Sequence, residues 1–309
     1  MGGVSHVVVD WGTSSFRLWA LDRAGNVRGE RRSAQGMIAA ATEGFEAVLE
    51  SHLAALGIGD GIPVMMCGMV GARGGWVEAA YVDIPAGLDG LAERAVHVPS
   101  ARRLIRLLPG LAQREADRHD VMRGEETQLL PLAREGFHGL ACLPGTHSKW
   151  VVVENGEARR FATFMTGELF QLLRTGSVIA PAVATAVAVD PDSAAFARGV
   201  GDGLTLPETL GNQLFRLRAS WLLVGEDPAG TLARLSGLLI GAELAGAARL
   251  LGTLENVALI ASGPAAPAYR RALSLAGATG VVAREADDCV RAGLHAAALS
   301  AFRLERVSA

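Results

Sequence analysis

One short pattern occurs twice in this chain, and it constrains the fold more than any other feature. Ser5 to Asp10 (SHVVVD) is an apolar run ending in an acid. Trp11-Gly12-Thr13-Ser14-Ser15 follows as a small-residue turn, Phe16 to Leu21 alternates again, and Asp22 to Asn26 turns into a return strand over Val27 to Arg31. The second copy starts at Gly139 to Leu143. Pro144-Gly145-Thr146-His147-Ser148 is its polar turn, Lys149 to Glu154 its next strand, and Asn155-Gly156 a type I′ hairpin signal before Glu157 to Phe164. Both read as strand, tight polar turn, strand, hairpin, strand. Two such units predict two domains of like topology, and 309 residues suit about two domains.

The rest alternates between helix and strand. Phe45, Val48, Leu49, Leu53 and Leu56 make a helical stripe, and Ile62 to Cys67 a short strand. Helices are expected from Arg123 through Leu130, from Thr166, and over Ala233 to Leu251. A buried strand at Val257 to Ala261 leads through Ser262-Gly263-Pro264 into another helix, and a last helix runs from about Ala286 to Phe302. This is an α/β pattern.

Composition narrows the partners. Hydrophobic residues are 50% and charged residues 20%, so the chain can bury a core, and a net charge of -3 argues against nucleic acid. No basic region followed by an apolar core opens the chain, and the longest charge-free apolar stretch, between Arg174 and Asp190, is too short for a bilayer. Cys67, Cys142 and Cys289 are far apart and form no CxxC, which suits buried thiols of a cytoplasmic protein with no membrane partner.

The repeated turns carry the chemistry. Consecutive backbone N–H groups beside Gly, Thr and Ser can converge on an anion, so the two turns are expected to face each other across a cleft and hold nucleotide phosphates. Asp10 ends the strand before the first turn, where it suits Mg²⁺ beside phosphate, with a hydrogen-bonded cap of the turn as the lesser alternative. Leu143 stands at the matching place in the second copy, so one metal-associated carboxylate is expected rather than two. DVMRGEETQ, Asp120 to Gln128, puts Glu125 and Glu126 at a helix start, where carboxylates are also favoured by the dipole alone. No GxxxxGK[ST], no GxGxxG after the first strand, no HExxH and no GxSxG is present.

DWGTSSFR resembles the first phosphate motif of the sugar kinase/Hsp70/actin superfamily. A narrower resemblance is to the 2-dehydro-3-deoxygalactonokinase family. It rests on CGMVGARGGWVEAAY (Cys67–Tyr81), DVMRGEETQLL (Asp120–Leu130), LPGTHSKWVVVENG (Leu143–Gly156), FMTGELFQLL (Phe164–Leu173) and LIASGPAAPAYRRAL (Leu259–Leu273). Ala72 and Ala80-Tyr81 depart from the family pattern, in the loop expected to meet the substrate.

The resemblance implies two actin-like ATPase domains of duplicated topology with an interdomain active-site cleft. They are expected at 1–122 and 123–285, with a helix over about 286–309 packing back on the first. It implies ATP, Mg²⁺ and phosphorylation of the C6 hydroxyl of 2-dehydro-3-deoxy-D-galactonate. Gly12, Thr13 and Ser14 would hold phosphates from one side, Gly145, Thr146 and Ser148 from the other, and Ser262, Gly263 and Pro264 would lie under the adenosine. Asp10 would hold Mg²⁺ and Glu125 would act as base, with Glu126 and Asp120 as rivals. Arg73 would clamp the substrate carboxylate. Trp76, Glu78, Thr166 and Glu168 complete the expected acceptor site. A kinase of another sugar or sugar acid, or an actin-like switch that binds without turnover, are the alternatives; oligomeric state stays open, a homodimer included.

Overall fold

All six residues of His6–Trp11 are buried, as a strand covered on both faces requires. The computed structural model describes residues 3–304. The first part of the chain forms β1 (His6–Trp11), β2 (Phe16–Leu21), β3 (Val27–Ser33), α1 (Met37–Glu43), α2 (Phe45–Ala55) and β4 (Val64–Gly68). Next come β5 (Val82–Asp83), β6 (Ala86–Gly87), β7 (Val96–Val98), β8 (Ile105–Leu107), β9 (Leu111–Gln113), β10 (Asp120–Met122) and α3 (Glu125–Arg134). The remainder forms β11 (Gly139–Leu143), β12 (Ser148–Glu154), β13 (Glu157–Phe164), α4 (Thr166–Gly176), α5 (Ala180–Val183), α6 (Ala194–Thr205), α7 (Leu210–Val224) and α8 (Pro228–Leu251). It closes with β14 (Val257–Ile260), α9 (Ala265–Leu275), β15 (Val282–Arg284) and α10 (Ala286–Ala301).

The described residues fall into two compact units. The first takes those up to Phe137, the hairpin tip Glu154–Arg159 and those from Asp287 on; the second takes His138–Val153 and Arg160–Ala286. The division expected at 122/123 therefore moves to 137/138. The reason is α3. Its Arg134 donates to Asp89 at 2.6 Å, and the Thr127 carbonyl lies where a side chain at Gly293 of α10 would have to go. Pro131 inside α3 removes the N–H that this carbonyl would otherwise accept, and only glycine lets α10 approach there.

In the first unit the main sheet runs β3-β2-β1-β4-β8-β7. β1, β2 and β3 are antiparallel neighbours, while β1, β4 and β8 are parallel. Period-2 alternation divides β1 between two cores. Val7, Val9 and Trp11 pack with Leu49 and Leu53 of α2, whereas Val8 packs with Met65, Cys67, Val290 and Leu294 on the α10 side.

In the second unit the sheet runs β15-β14-β11-β12-β13, with β11 antiparallel to β12 and parallel to β14, and β14 parallel to β15. Central strand, hairpin partner, return strand and two parallel strands thus occupy the same order as in the first sheet. α6 crosses α8 closely because both supply glycine. A side chain at Gly199, Gly203, Gly237 or Gly241 would meet the other helix's backbone. α8 alone is long and apolar enough to cross a membrane, among the described residues, but 72% of its most apolar window is buried inside the protein.

Candidate active site

In the first unit, Asp10 is the next-to-last residue of β1 and faces Arg17 across the β1–β2 register. The Arg17 guanidinium bridges Asp10 and Asp287 of α10. The other Asp10 oxygen lies 3.8 Å from Cys67 Sγ. Burial pushes the Asp10 carboxyl up while Arg17 pulls it down. Between β1 and β2, the Gly12 N–H donates to Ser15 O at 2.9 Å, closing the turn, and Met37 and Ile38 of α1 donate to the carbonyls of Gly12 and Thr13. Thr13, Ser14 and Ser15 are exposed at its tip.

The start of α3 lies beside this strand end. Gly68 has φ +95°, and a Cβ there would sit 2.7 Å from Trp11 O and 3.3 Å from Asp10 Oδ1. On its other side, a Cβ at Gly124 would lie 3.5 Å from Gly68 Cα. Small residues thus let the start of α3 pack close to the strand end that carries Asp10. The two glutamates differ sharply. Glu125 is half-buried and accepts the Arg123 N–H at 3.0 Å. Glu126 is fully buried, accepts the Gly124 N–H at 2.7 Å, and burial with the charge of Glu125 pushes its carboxyl up to about 8. Cys67 is held between Asp10 and Glu126, and burial and both carboxylates raise its thiol well above the usual range. Asp120 belongs to β10 and accepts the Val121 N–H.

Arg123 was not expected. Its guanidinium lies 4.3 Å over the Tyr81 ring and donates to Ala79 O at 2.8 Å, which ties the loop of residues 69–81 to the start of α3. In that loop Arg73 and Glu78 are exposed, while Trp76 stacks on Phe45 and packs edge-on to Trp11. Trp76 is therefore partly spent on the core.

The second unit carries the other turn. Gly145, Thr146 and His147 are exposed. α4 begins directly on it: Glu168 N–H donates to Thr146 O at 2.9 Å, and a Cβ at Gly167 would lie 2.9 Å from Thr146 Cα. Thr166 and Glu168, expected at the acceptor, stand beside this turn, where Glu168 meets His147 at 2.5 Å. Ser148 was expected to reach phosphate, but its hydroxyl is buried and donates to Glu243 of α8 at 2.6 Å. Lys149 is buried too. Beside the turn opens a cavity of about 380 Å³, lined among others by Gly145, Thr166, Phe170, Pro264, Ala265 and Tyr269. Pro264 thus reaches it, whereas Ser262 donates to Glu285 and accepts from the Ala286 N–H, and Gly263 takes a left-handed turn at φ +63°. A wider depression of about 1080 Å³ in the first unit, near Asp22, Arg28 and His295, touches neither turn.

Sequence reasoning missed Arg17, Arg123 and Glu243. Arg17 was legible, since a hairpin closed at Gly12–Ser15 pairs it with Asp10. Glu243 had a signal as well: it is the lone charge between Arg234 and Arg249 in an Ala/Leu/Gly helix.

Among the described residues no three His, Cys, Asp or Glu side chains group as a metal site. Mg²⁺ keeps several waters and takes one or two carboxylates plus substrate phosphates. One Asp10 oxygen is engaged by Arg17 and the other faces a thiol, so the carboxylate fits a hydrated ion held mainly by phosphates.

Each unit carries a sheet with a Gly-Thr turn, an acid beside one and an apolar cavity beside the other, and the chain is a sugar-acid kinase by its relatives. The chain belongs to the 2-keto-3-deoxy-galactonokinase family, whose profile matches residues 10–297. It is 48% identical over 302 residues to a Rhizobium meliloti (strain 1021) protein named probable 2-dehydro-3-deoxygalactonokinase, covering 97% of this chain and 98% of that one. It is 33% identical to the Escherichia coli (strain K12) 2-dehydro-3-deoxygalactonokinase, covering 95% and 97%. A crystal structure of a candidate 2-dehydro-3-deoxygalactonokinase from Sinorhizobium meliloti superposes with TM-score 0.91 at 46% identity, covering 97% and 98%. Component A of the Acidaminococcus fermentans (R)-2-hydroxyglutaryl-CoA dehydratase shares the fold alone, with TM-score 0.51 at 14% identity over 98% and 99%.

Proposed function

We propose that this chain is a cytoplasmic kinase that transfers the γ-phosphoryl group of ATP to the C6 hydroxyl of 2-dehydro-3-deoxy-D-galactonate, on two actin-like domains of duplicated topology. Family membership and the shared strand order of the two sheets support the reading. The observation that carries it is the half-buried Glu125 at the start of α3, next to Gly124, whose backbone packs on Gly68 beside Asp10.

Phosphoryl transfer depends mostly on positioning and charge neutralisation. The C6 hydroxyl oxygen attacks the γ-phosphorus, the bond to the ADP oxygen breaks, and the hydroxyl proton passes to the Glu125 carboxylate. Thr13 and Ser14 on one turn and Gly145 and Thr146 on the other would hold phosphates. Bound Mg²⁺ supplies positive charge to the phosphates, and Asp10 would hold it through its water shell. The apolar cavity beside the second turn would take the adenosine, with Pro264 in its wall. Thr166 then serves the nucleotide rather than the acceptor. Arg73, exposed on its loop, would pair with the sugar-acid carboxylate, with Glu78 beside it.

A coupled assay of ATP consumption over a panel of 2-keto-3-deoxy sugar acids and neutral sugars tests this. Turnover with the galactonate-derived acid well above its C4 epimer and all neutral sugars is expected. Preference for another acid would reassign the substrate, and no ATP consumption with any acceptor would remove the kinase reading.

A further inference from the structure

Glu243 is 2% exposed in the middle of an otherwise apolar helix, and its carboxylate collects donors from three other elements. One oxygen accepts from Ser148 Oγ at 2.6 Å and Trp150 Nε1 at 2.7 Å, both of β12. The other accepts from Tyr269 of α9 at 2.6 Å. The Thr166 hydroxyl at the start of α4 bonds to it as well. Three of the four donors are tied to the proposed nucleotide half-site. Ser148 closes the Gly145–His147 turn, while Thr166 and Tyr269 line the adjoining cavity. A buried carboxylate is costly unless its lone pairs are filled. Four converging donors satisfy it and, in return, lose their freedom to rotate.

We propose that Glu243 is the positioning residue of the nucleotide site: one buried carboxylate holds the second phosphate turn, the start of α4 and the α9 wall in mutual register. Glu243 touches neither donor nor acceptor substrate; it acts through Ser148, Thr166 and Tyr269. A core of the same volume without a carboxylate would pack α8 against the sheet equally well but would leave the three hydroxyls unanchored. Burial pushes the Glu243 carboxyl up, and its four hydrogen bonds pull it down. The Tyr269 phenol, facing the carboxylate, is raised well above its ordinary value and stays a donor.

The proposal rests on the kinase reading for the identity of the ligand, so wild-type protein is first titrated with a non-hydrolysable ATP analogue by calorimetry. No binding there would refute the kinase reading itself. Glu243→Gln keeps the shape but turns an acceptor into a donor facing Tyr269. Loss of hydrogen bonds to a charged group predicts an ATP KM and analogue Kd raised about ten- to a hundredfold. The KM for the sugar acid should stay within about twofold. A lowered melting temperature with unchanged nucleotide affinity would overturn the proposal, because a purely structural glutamate behaves that way. Should Glu243→Gln not fold, Tyr269→Phe and Ser148→Ala each delete one donor at little change in volume. Each should raise the ATP KM severalfold and leave the sugar-acid KM alone; unchanged ATP KM in both would equally overturn it.

Discussion

Glu125 and Glu126 are chemically identical neighbours placed in opposite environments by a rotation of about 100° per residue along α3. The half-buried Glu125 can meet a substrate hydroxyl, whereas Glu126 is sealed against Cys67 and Thr127. Glu125→Gln should lower kcat by about 10²–10⁴-fold, toward the lower end because the transition state of phosphoryl transfer is loose, with both substrates still bound. Wild-type kcat in that variant, with loss of activity in Asp120→Asn, would move the base to Asp120. Glu126 makes a separate prediction through pH. Its folded carboxyl lies near 8, above its ordinary 4.5. The folded chain therefore keeps a proton that the unfolded chain releases, and stability falls as pH rises from about 4.5 to 8, by of order a few kcal/mol. Glu126→Gln is neutral throughout and should lose that slope. Urea unfolding of both proteins at pH 5 and pH 8.5 measures it; parallel pH dependence would mean that Glu126 is charged in the folded chain.

At the scale of elements, the second turn is defined by what rests on it. α4 starts on Gly145-Thr146 with glycine at position 167, where a side chain has no room. Gly167→Ala gains up to about 1 kcal/mol in helix propensity and loses about 1–3 kcal/mol through the forced shift. The net loss of stability should reach about 2 kcal/mol. The displacement falls on Gly145 and the exposed Thr146, so the ATP KM should rise severalfold while the sugar-acid KM holds. Equal changes in both constants would show that α4 serves more than the nucleotide.

At the scale of the molecule, each unit has its own hydrophobic cores, so damage to the core of one should stay there. Ala265→Trp introduces a large side chain into the wall of the 380 Å³ cavity of the second unit. Nucleotide affinity should fall at least tenfold. Sugar-acid binding, followed by calorimetry without nucleotide, should be unchanged, and ATP should no longer raise the melting temperature by mass action. Unaltered ATP affinity would exclude the cavity as the nucleotide site.

Local chemistry made much of this legible in the sequence. The apolar runs around Asp10 and Leu143, the two Gly-Thr turns and the Asn155-Gly156 hairpin depend on neighbours in sequence, so the strands and turns emerged from the chain directly. The acid at the end of β1 and the pair at the start of α3 were visible for the same reason. Tertiary structure decided what neighbours in sequence cannot. Pro131 and Gly293 drew α3 into the first unit and moved the division to 137/138, because packing across 160 residues outweighs a local boundary signal. Burial separated Glu125 from Glu126. Thr166 and Ser148 were turned toward Glu243, a residue about ninety positions away from one and eighty from the other. A carboxylate that gathers donors from three elements acquires its role only when those elements have packed, since desolvation and convergent hydrogen bonds are properties of the folded interior.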